Sequence, residues 1–295
     1  MSATSSNLVR AALGACLLPC LVACAVKPVE TGSPTLSPQR IAEIVASPDR
    51  SAADRSNDVR RKPEPLLAFI GVRPGMVALD VSAGGGYTSE LLARAIGPTG
   101  TVYGQSQPRD PNRAPPAPAA PEGASHPATA SETSPMPPRT PSRTSAMALA
   151  DREQNLRSAN VAAAHIVPVS QRFDDPVPPA LAVNGIDLVT LMFNYHDLGF
   201  LGVDRDKMNR AIFRALKPGG VYVIADHAGR PGTGISESGS LHRIEEAFLR
   251  GEVEAAGFKL AAEGNFLRNP ADPRDQNTPN PPQPKDEFVL KFVKP

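Results

Sequence analysis

The chain has 295 residues, of which 33 are prolines and 23 are glycines, and only 5% are aromatic. This composition excludes one continuous packed core and leaves room for one or two domains joined by extended segments. The formal net charge of +1 at pH 7 excludes the strongly basic surface that nucleic-acid binding requires.

The first 23 residues have the features of a secretory signal peptide. Arg10 is followed by an apolar run that begins at Ala11, and the next charged residue is Lys27. The run is too short to span a membrane comfortably, so we expect a cleaved signal. An ordinary signal peptide with incidental cysteines is one interpretation, and a lipoprotein signal is the other.

The cysteines favour the lipoprotein signal. Cys16 and Cys20 lie in this leader and Cys24 follows it directly, so the chain after residue 24 has no disulfide and no thiol chemistry. Residues 21–24 (LVAC) resemble the lipobox of bacterial lipoproteins, whose cysteine is acylated and becomes the new N-terminus. The resemblance implies a membrane anchor through a lipid on Cys24, on the periplasmic face of the cell envelope. Because Ala25 follows instead of an aspartate, the outer membrane is favoured over the inner membrane.

A tether and a folded domain are expected after the leader. Residues 24–38 are rich in Pro, Ser and Thr and form the predicted tether, and the domain occupies residues 39–295. Apolar residues at helical spacing predict helices near 41–45 and 66–70, with a charged stretch between them. We interpret the basic end of that stretch, residues 60–62, as solvated surface; a lid over a ligand is the alternative.

Residues 76–96 predict a strand, a tight glycine turn and a helix. The apolar run ends near Asp80, glycines occupy positions 84–86, and a helical pattern follows from Thr88 to Ile96. Glycine lets the backbone turn sharply and lets a ligand approach, while the amides at the helix start point towards it. Such turns also serve plain strand-to-helix connections, so the position of the acidic residue has to distinguish the possibilities. In a dinucleotide-binding motif the acidic residue lies about 20 residues after the glycines, whereas Asp80 lies just before them.

This segment resembles the first motif of class I S-adenosylmethionine-dependent methyltransferases, written D/E-x-G-x-G-x-G. Asp80, Gly84 and Gly86 match the motif, and Ser82 stands where the family has its first glycine. The resemblance implies that S-adenosylmethionine is the cofactor and that these four residues surround it.

The next strand and the segment after it depart from the family pattern. The strand ends at Gln105, where the family has an acidic residue that holds the ribose hydroxyls. An amide offers one acceptor and two donors, so Gln105 is a candidate for this contact without a carboxylate's strength. Residues 108–145 are dominated by Pro, Ala, Ser and Thr, and we predict a disordered insertion there. His126 lies inside it and is discounted as a ligand.

Two further strands end in polar residues. The nearly continuous apolar run 185–194 is typical of a parallel strand that is covered on both faces. A second strand, 221–225, follows an L-K-P-G-G sequence, which also resembles the methyltransferase family. The resemblance places Asn194 among the cofactor contacts. The polar residues at the two strand ends are Asn194, His196 and Asp197 for the first and Asp226 and His227 for the second.

The remaining chain completes the fold. A helix at 241–256, a strand near 259–262 and a last strand at 288–293 follow in order, and the terminal strands predict an antiparallel hairpin. The prediction is an α/β, Rossmann-like class I methyltransferase fold, with a mostly parallel seven-stranded sheet, an antiparallel last strand and helices on both faces. The resemblance covers about residues 66–293 without the insertion. It is closest to a bacterial group of predicted methyltransferases that carry a lipoprotein-type signal peptide.

Ligands of open α/β sheets bind beyond the carboxyl ends of the strands, so the polar strand ends should meet beside the glycine turn. A neutral histidine is a suitable proton acceptor near pH 7, and a carboxylate behind it fixes its tautomer. We predict His196 as the base that deprotonates a methyl acceptor, with Asp197 or Asp226 orienting it. His227 is the substitute candidate.

Three other interpretations concern the histidines. Two imidazoles and two carboxylates form a mixed ligand set for zinc or another divalent metal, although methyl transfer without a metal is preferred. The plainest interpretation is that His196 and His227 cap strand ends through hydrogen bonds. His242 lies at helical spacing beside Glu245 and Glu246 and is interpreted as part of a solvated ion-pair face.

Two functions are open at this point. The first is S-adenosylmethionine-dependent methyl transfer to a small molecule. The second is a non-catalytic envelope protein that uses the same fold to bind another ligand or a metal. The expected cofactor and the expected location conflict, because S-adenosylmethionine is made in the cytoplasm and the lipobox directs the domain beyond the inner membrane. The departures at Ser82 and Gln105 favour the second function slightly.

Overall fold

The computed structural model describes residues 1–2, 34–108, 143–279 and 281–295. The predicted signal peptide, Cys24, most of the tether and nearly all of the predicted insertion, with His126, lie outside these residues. From Pro34 onward, the described residues belong to one compact unit. None of the described helices has the length and apolar character needed to cross a membrane.

Seven strands form one sheet in the order β3-β2-β1-β4-β5-β7-β6. Parallel pairing joins the first five, so that Asp80 of β1 lies between Gly104 of β2 and Thr190 of β4. β7 runs antiparallel to both of its neighbours, as predicted. This topology brings the carboxyl ends of β2, β1, β4 and β5 to one side, which we call the carboxyl edge. The strands are β1 Val77–Val81, β2 Thr101–Ser106, β3 His165–Ser170, β4 Ile186–Met192, β5 Leu216–His227, β6 Lys259–Gly264 and β7 Glu287–Val293.

Helices cover both faces of the sheet. Ala78 and Leu188 lie in one apolar layer with α1, α3, α4 and α5, whereas Leu79 and Val189 lie in the other with α7 and α9. Each fully buried leucine contributes roughly 1.5–3 kcal/mol, so the two layers make the sheet a stable platform for its edge. The helices are α1 Pro38–Ala46, α2 Ala52–Arg61, α3 Pro63–Ile70, α4 Tyr87–Ile96, α5 Ser145–Ser158, α6 Tyr195–Phe200, α7 Arg205–Ala215, α8 Ser238–Leu241 and α9 Glu246–Ala255, with a 3₁₀ turn at Pro179–Leu181.

Four of the described helices begin at side-chain caps, one of them α7, where Asp204 accepts from the Lys207 N–H. Ser37, Ser51 and Thr144 each accept a hydrogen bond from the backbone N–H three residues later, at the starts of α1, α2 and α5. Such caps satisfy amides that have no partner within the helix. The cap of α5 therefore places the last residues of the predicted insertion, 144–145, at the start of an ordered helix.

The predicted helix 241–256 is wrong at its start. α8 ends at Leu241, His242 takes the left-handed conformation with φ +52°, and α9 begins only at Glu246. The cause is Arg243, which is fully buried and donates to Asp272 Oδ2 at 2.8 Å and to the Ala228 carbonyl at 3.0 Å. Burying this guanidinium holds the chain outside a helix and turns His242 towards the carboxyl edge.

Candidate active site

The glycine loop, residues 82–86 between β1 and α4, forms the first part of the site. Gly84 and Gly86 have φ angles of +54° and +78°, which glycine adopts without a Cβ clash. A Cβ on Gly84 would meet no atom closer than 3.9 Å, so the loop is bare at this point. The N-cap residue of α4, Gly86, has no side chain, and the Ser89 amide bonds to Asp80, so the amides of Tyr87 and Thr88 are the ones suited to an anionic group.

Ser82 keeps the loop conformation without a glycine. Its φ is +58°, a conformation that costs a residue with a Cβ about 1–2 kcal/mol. Two hydrogen bonds act against this cost: the Ser82 N–H donates to Gln105 Oε1 at 2.9 Å, and its hydroxyl donates to Asn194 Oδ1 at 2.7 Å. Ser82 therefore links the ends of β2 and β4 across the loop.

Gln105 is fully buried at the end of β2. Its Oε1 accepts from Ser82, and its Nε2 donates to the Gln171 carbonyl at 2.7 Å. Both polar atoms of the amide thus bond to the protein in this structure. The contact of Gln105 with a ribose stays a prediction, for which the second N–H of Nε2 is the remaining donor.

Asp80 supports the loop from below. Its Oδ2 accepts from the Ser89 hydroxyl of α4 at 2.6 Å, and its Oδ1 accepts from the Thr190 hydroxyl of β4 at 2.8 Å. Burial raises the pKa of Asp80 to about 6, although both hydroxyls act in the opposite direction. The carboxyl group therefore holds β1, β4 and α4 together beneath the loop.

His196, in the first turn of α6, lies between two carboxylates. Its Nδ1 is 2.6 Å from Asp226 Oδ1, and its Nε2 is 3.1 Å from Asp197 Oδ1. Burial lowers the pKa of His196, but the charge of Asp226 and the hydrogen bonds to both carboxylates outweigh it and raise the pKa to about 10. The ring is an imidazolium at neutral pH, with no nitrogen free to take a proton. Its role as a base stays a prediction that needs one contact to open.

Asp197 collects three donors on its two oxygens. Oδ1 contacts His196 Nε2 and His242 Nδ1, the latter at 2.8 Å, and Oδ2 accepts from Asn194 Nδ2 at 3.0 Å. Burial alone would raise the pKa of Asp197, but the bonds from His196 and His242 lower it to about 2. His242 therefore belongs to the site, and its interpretation as part of a solvated ion-pair face is wrong.

His227, at the end of β5, has the opposite electrostatic character. Burial, with Lys285 and the His196 imidazolium nearby, lowers its pKa well below the ordinary value, so the ring is neutral. Its Nδ1 lies 3.0 Å from Glu287 Oε1 but has no hydrogen-bond partner. The ring stands 5.3 Å from that of His196 and 5.7 Å from that of Phe193, centroid to centroid.

Helix α2 lies across the carboxyl edge as a roof. The Tyr87 hydroxyl, beside the glycine loop, donates to Asp58 Oδ1 at 2.6 Å. In the same last turn of the helix, the guanidinium groups of Arg60 and Arg61 lie 4.7 and 4.6 Å from the ring centroid of Phe193, just beyond β4. The interpretation of residues 60–62 as solvated surface is wrong for these two arginines. The alternative, a lid over a ligand, stays a prediction.

The structure thus joins most of the predicted site residues in one hydrogen-bonded network. It runs along the carboxyl edge from β2 to β5, and Asp80, the glycines and the ring of His227 border it, while the backbone N–H of His227 donates to Asp226. His242 and the arginines of α2 were missed because their helical or charged sequence context is typical of exposed surface. The members of the network are Gln105, Ser82, Asn194, Asp197, His242, His196 and Asp226.

Comparisons with known proteins agree with this architecture. No protein-family model matches the sequence, and no curated protein matches it. Among solved structures, an S-adenosylmethionine-dependent methyltransferase from Aquifex aeolicus is similar with a TM-score of 0.51 and 15% identity, over 88% of this chain and 100% of that one. An arsenic(III) S-adenosylmethionine methyltransferase from Chlamydomonas reinhardtii is similar with a TM-score of 0.51 and 13% identity, over 87% and 73% of the two chains. The chain therefore has the Rossmann-like fold of class I methyltransferases.

Proposed function

We propose that this protein transfers a methyl group from S-adenosylmethionine to a small molecule. The observation that carries the proposal is the glycine loop at the carboxyl end of β1, which is left-handed and open at Gly84, with the start of α4 behind it and a polar network beside it. Fold similarity alone would not justify an activity, because one fold hosts many functions. The proposed activity therefore rests on the residues of the site.

The glycine loop and the strand ends beside it, which together we call the cradle, fit the cofactor. The loop around Gly84 leaves space for a ligand to approach the backbone, and the amides at the start of α4 suit the carboxylate of its amino-acid part. Asn194 and Gln105 lie at the neighbouring strand ends and offer amide groups for its polar atoms. When bound, the cofactor supplies an activated methyl group on a sulfonium.

The chain must align the acceptor and remove its proton. We assign proton acceptance to Nε2 of His227, since the ring is neutral and lies under the roof of α2, and the Glu287 carboxylate favours a proton on the other ring nitrogen, Nδ1. Glu287, 3.0 Å from that Nδ1, is placed to orient the ring. His196 instead stays charged between Asp197 and Asp226 and keeps the network in register.

Calorimetric titration of the full-length chain with S-adenosylmethionine and S-adenosylhomocysteine tests the proposal. We expect both to bind with micromolar affinity and Gly84→Ala to weaken binding at least about tenfold, a loss of about 1.4 kcal/mol. Gly219→Ala is the matched control, because Gly219 also has a positive φ (+76°) and open surroundings, but it lies at the opposite end of β5. Each variant should lose about 1–2 kcal/mol of stability, and only Gly84→Ala should lose cofactor affinity.

Two results would contradict the proposal. If the wild-type chain binds neither compound up to millimolar concentration, the non-catalytic binding protein is the better account. If Gly84→Ala and Gly219→Ala weaken binding equally, the cofactor does not use the glycine loop. Once an acceptor is known, His227→Gln should lower turnover while cofactor affinity stays at the wild-type value.

We also propose that the protein is anchored by a lipid on Cys24 at the periplasmic face of the envelope, with the outer membrane favoured. The support is the LVAC sequence at 21–24 and the following Ala25. Cys24→Ser should release the protein from membranes, whereas Cys20→Ser, four residues earlier in the leader, should leave fractionation unchanged. Equal membrane association of the two variants would count against the anchor.

A further inference from the structure

We propose that His196, Asp197 and His242 form a binding site for a divalent transition metal of the zinc class. These three residues converge at the carboxyl edge, and their candidate ligand atoms all lie within 4.8 Å of one another. The proposal stands apart from methyl transfer, because it concerns a metal ion and needs neither cofactor nor acceptor.

The spacing of the three ligand atoms suits a tetrahedral ion. Two imidazole nitrogens point at the same carboxylate oxygen, Asp197 Oδ1, from 3.1 Å for His196 Nε2 and from 2.8 Å for His242 Nδ1. Zinc bonds of about 2.0–2.1 Å to nitrogen and oxygen place tetrahedral ligand atoms roughly 3.3 Å apart. If the three ligand atoms move apart by a few tenths of an ångström, an ion can therefore take the place of the two N–H protons that now lie between the imidazole nitrogens and Asp197 Oδ1.

A buried carboxylate supports the ligand set. Asp226 is fully buried and lies 2.6 Å from Nδ1 of His196, the ring nitrogen that faces away from the proposed ion. Histidine ligands of metals commonly donate their second N–H to a carboxylate, which fixes the tautomer and makes the ligating nitrogen more basic. Asp226 supplies that contact, and its own oxygens also accept the backbone amides of His196 and His227.

The site is open on one side. Side-chain exposure rises from 3% for His196 to 28% for Asp197 and 42% for His242, so an ion can enter from solvent. Three protein ligands leave one position of a tetrahedral ion free, as in catalytic zinc sites. The site therefore has a chemically suitable ligand set of one carboxylate and two imidazoles, an entry path from solvent and a supporting carboxylate.

This ligand set differs from the four residues that the sequence suggested. His242 is included, His227 is left out, and Asp226 moves from ligand to supporting group. His227 Nδ1 is instead beside Glu287, on β7. The difference gives the experiment a way to separate the two sets.

The test is calorimetric titration of Zn²⁺ into the full-length chain, after chelator treatment and alkylation of its cysteines. We expect one equivalent to bind, and His242→Ala to weaken binding by more than the roughly 10–100-fold that loss of a supporting group costs. His165→Ala is the matched control, because His165 is also exposed and also places Nδ1 near a carboxylate, 3.0 Å from Glu153 Oε1. His227→Gln should bind zinc with wild-type affinity.

Three results would overturn the proposal. They are absence of stoichiometric zinc binding by the wild-type chain, unchanged binding by His242→Ala, and equal losses in His242→Ala and His165→Ala. Since His242 is largely exposed, its variant should fold, and circular dichroism with thermal unfolding checks this. In the wild-type chain, saturating zinc should also raise the unfolding temperature, an effect that His242→Ala should lack.

Discussion

Two buried aspartates lie at the carboxyl ends of β1 and β5, the strands on either side of β4, yet their electrostatic character is opposite. Asp80 of β1 is 2% exposed and faces the hydroxyls of Ser89 and Thr190, and burial raises its pKa to about 6. Asp226 of β5 is fully buried, and although burial alone would raise its pKa, the His196 imidazolium and its hydrogen bonds lower it. Burial alone does not decide the state of a carboxyl group, because its partners do.

The difference separates the two halves of the site. Around Asp80, the cradle is built from backbone conformation and neutral hydroxyl contacts. Around Asp226, the edge is built from alternating charges, carboxylate to imidazolium to carboxylate, in the order Asp226, His196, Asp197. The first half should tolerate neutral substitutions that the second half does not.

The sharpest test of this comparison is Asp226→Asn. Asp226 accepts from His196 Nδ1 and from the amides of His196 and His227. An asparagine turns one acceptor into a donor that faces another donor, and the buried His196 imidazolium keeps only Asp197 as a carboxylate partner. We expect a loss of about 3–5 kcal/mol in the free energy of unfolding, measured by denaturant titration.

Asp80→Asn is the matched control for that substitution. Hydroxyl groups rotate and serve as donor or acceptor, so Ser89 and Thr190 can bond to an amide as well as to a carboxyl group. The expected cost is below about 1.5 kcal/mol, the value of a typical hydrogen bond. Equal costs for the two variants would show that burial, not the charge of the partner, dominates at both strand ends.

Most of the fold follows from the sequence. The continuous apolar run of β4 predicted a central parallel strand, and the glycine turn after Asp80 predicted the β1–α4 connection. Both features are local, since they depend on strand burial and on residues that take a positive φ. The antiparallel β7 was likewise predicted from the terminal hairpin pattern.

The site was less predictable because its decisive contacts are not local. The α2 roof has a charged sequence without an apolar stripe, and its burial depends on partners elsewhere, such as Arg152 for Asp54 and Phe193 for Arg60. His242 reaches Asp197 only because burial of Arg243 interrupts the helix that the spacing predicts. Sequence patterns within one element do not contain this information.

The two histidines of the edge should give opposite pH dependences of stability. His196 has a pKa raised from 6.5 to about 10, so its contribution is complete below pH 6.5 and is lost as the pH rises through about 10. His227 has a lowered pKa, so its contribution is complete above pH 6.5 and is lost as the pH falls below that value. Between pH 7 and 10 the loss due to His196 should reach at least about 2 kcal/mol, since one pKa unit corresponds to about 1.4 kcal/mol.

Denaturant unfolding from pH 5 to 10 measures both effects. Subtracting the curve of His196→Gln from that of the wild type should isolate an alkaline loss, and subtracting that of His227→Gln should isolate an acid loss. The subtraction removes the contribution of Asp80, which titrates in the acid range in all three proteins. An alkaline loss as large in His196→Gln as in the wild type would show that His196 does not cause it.

The smallest expected effect concerns Ser82, where the two halves meet. Its φ of +58° strains any residue with a Cβ, and its hydroxyl bonds to Asn194. Ser82→Ala keeps the strain and loses the hydrogen bond, whereas Ser82→Gly loses both. The glycine variant should therefore be more stable than the alanine variant by about 1 kcal/mol, after allowing for the greater entropy of glycine in the unfolded chain. If denaturant titration finds alanine equal to or better than glycine, the left-handed conformation at Ser82 is not a source of strain, and the hydroxyl link to Asn194 is the main reason for a serine there.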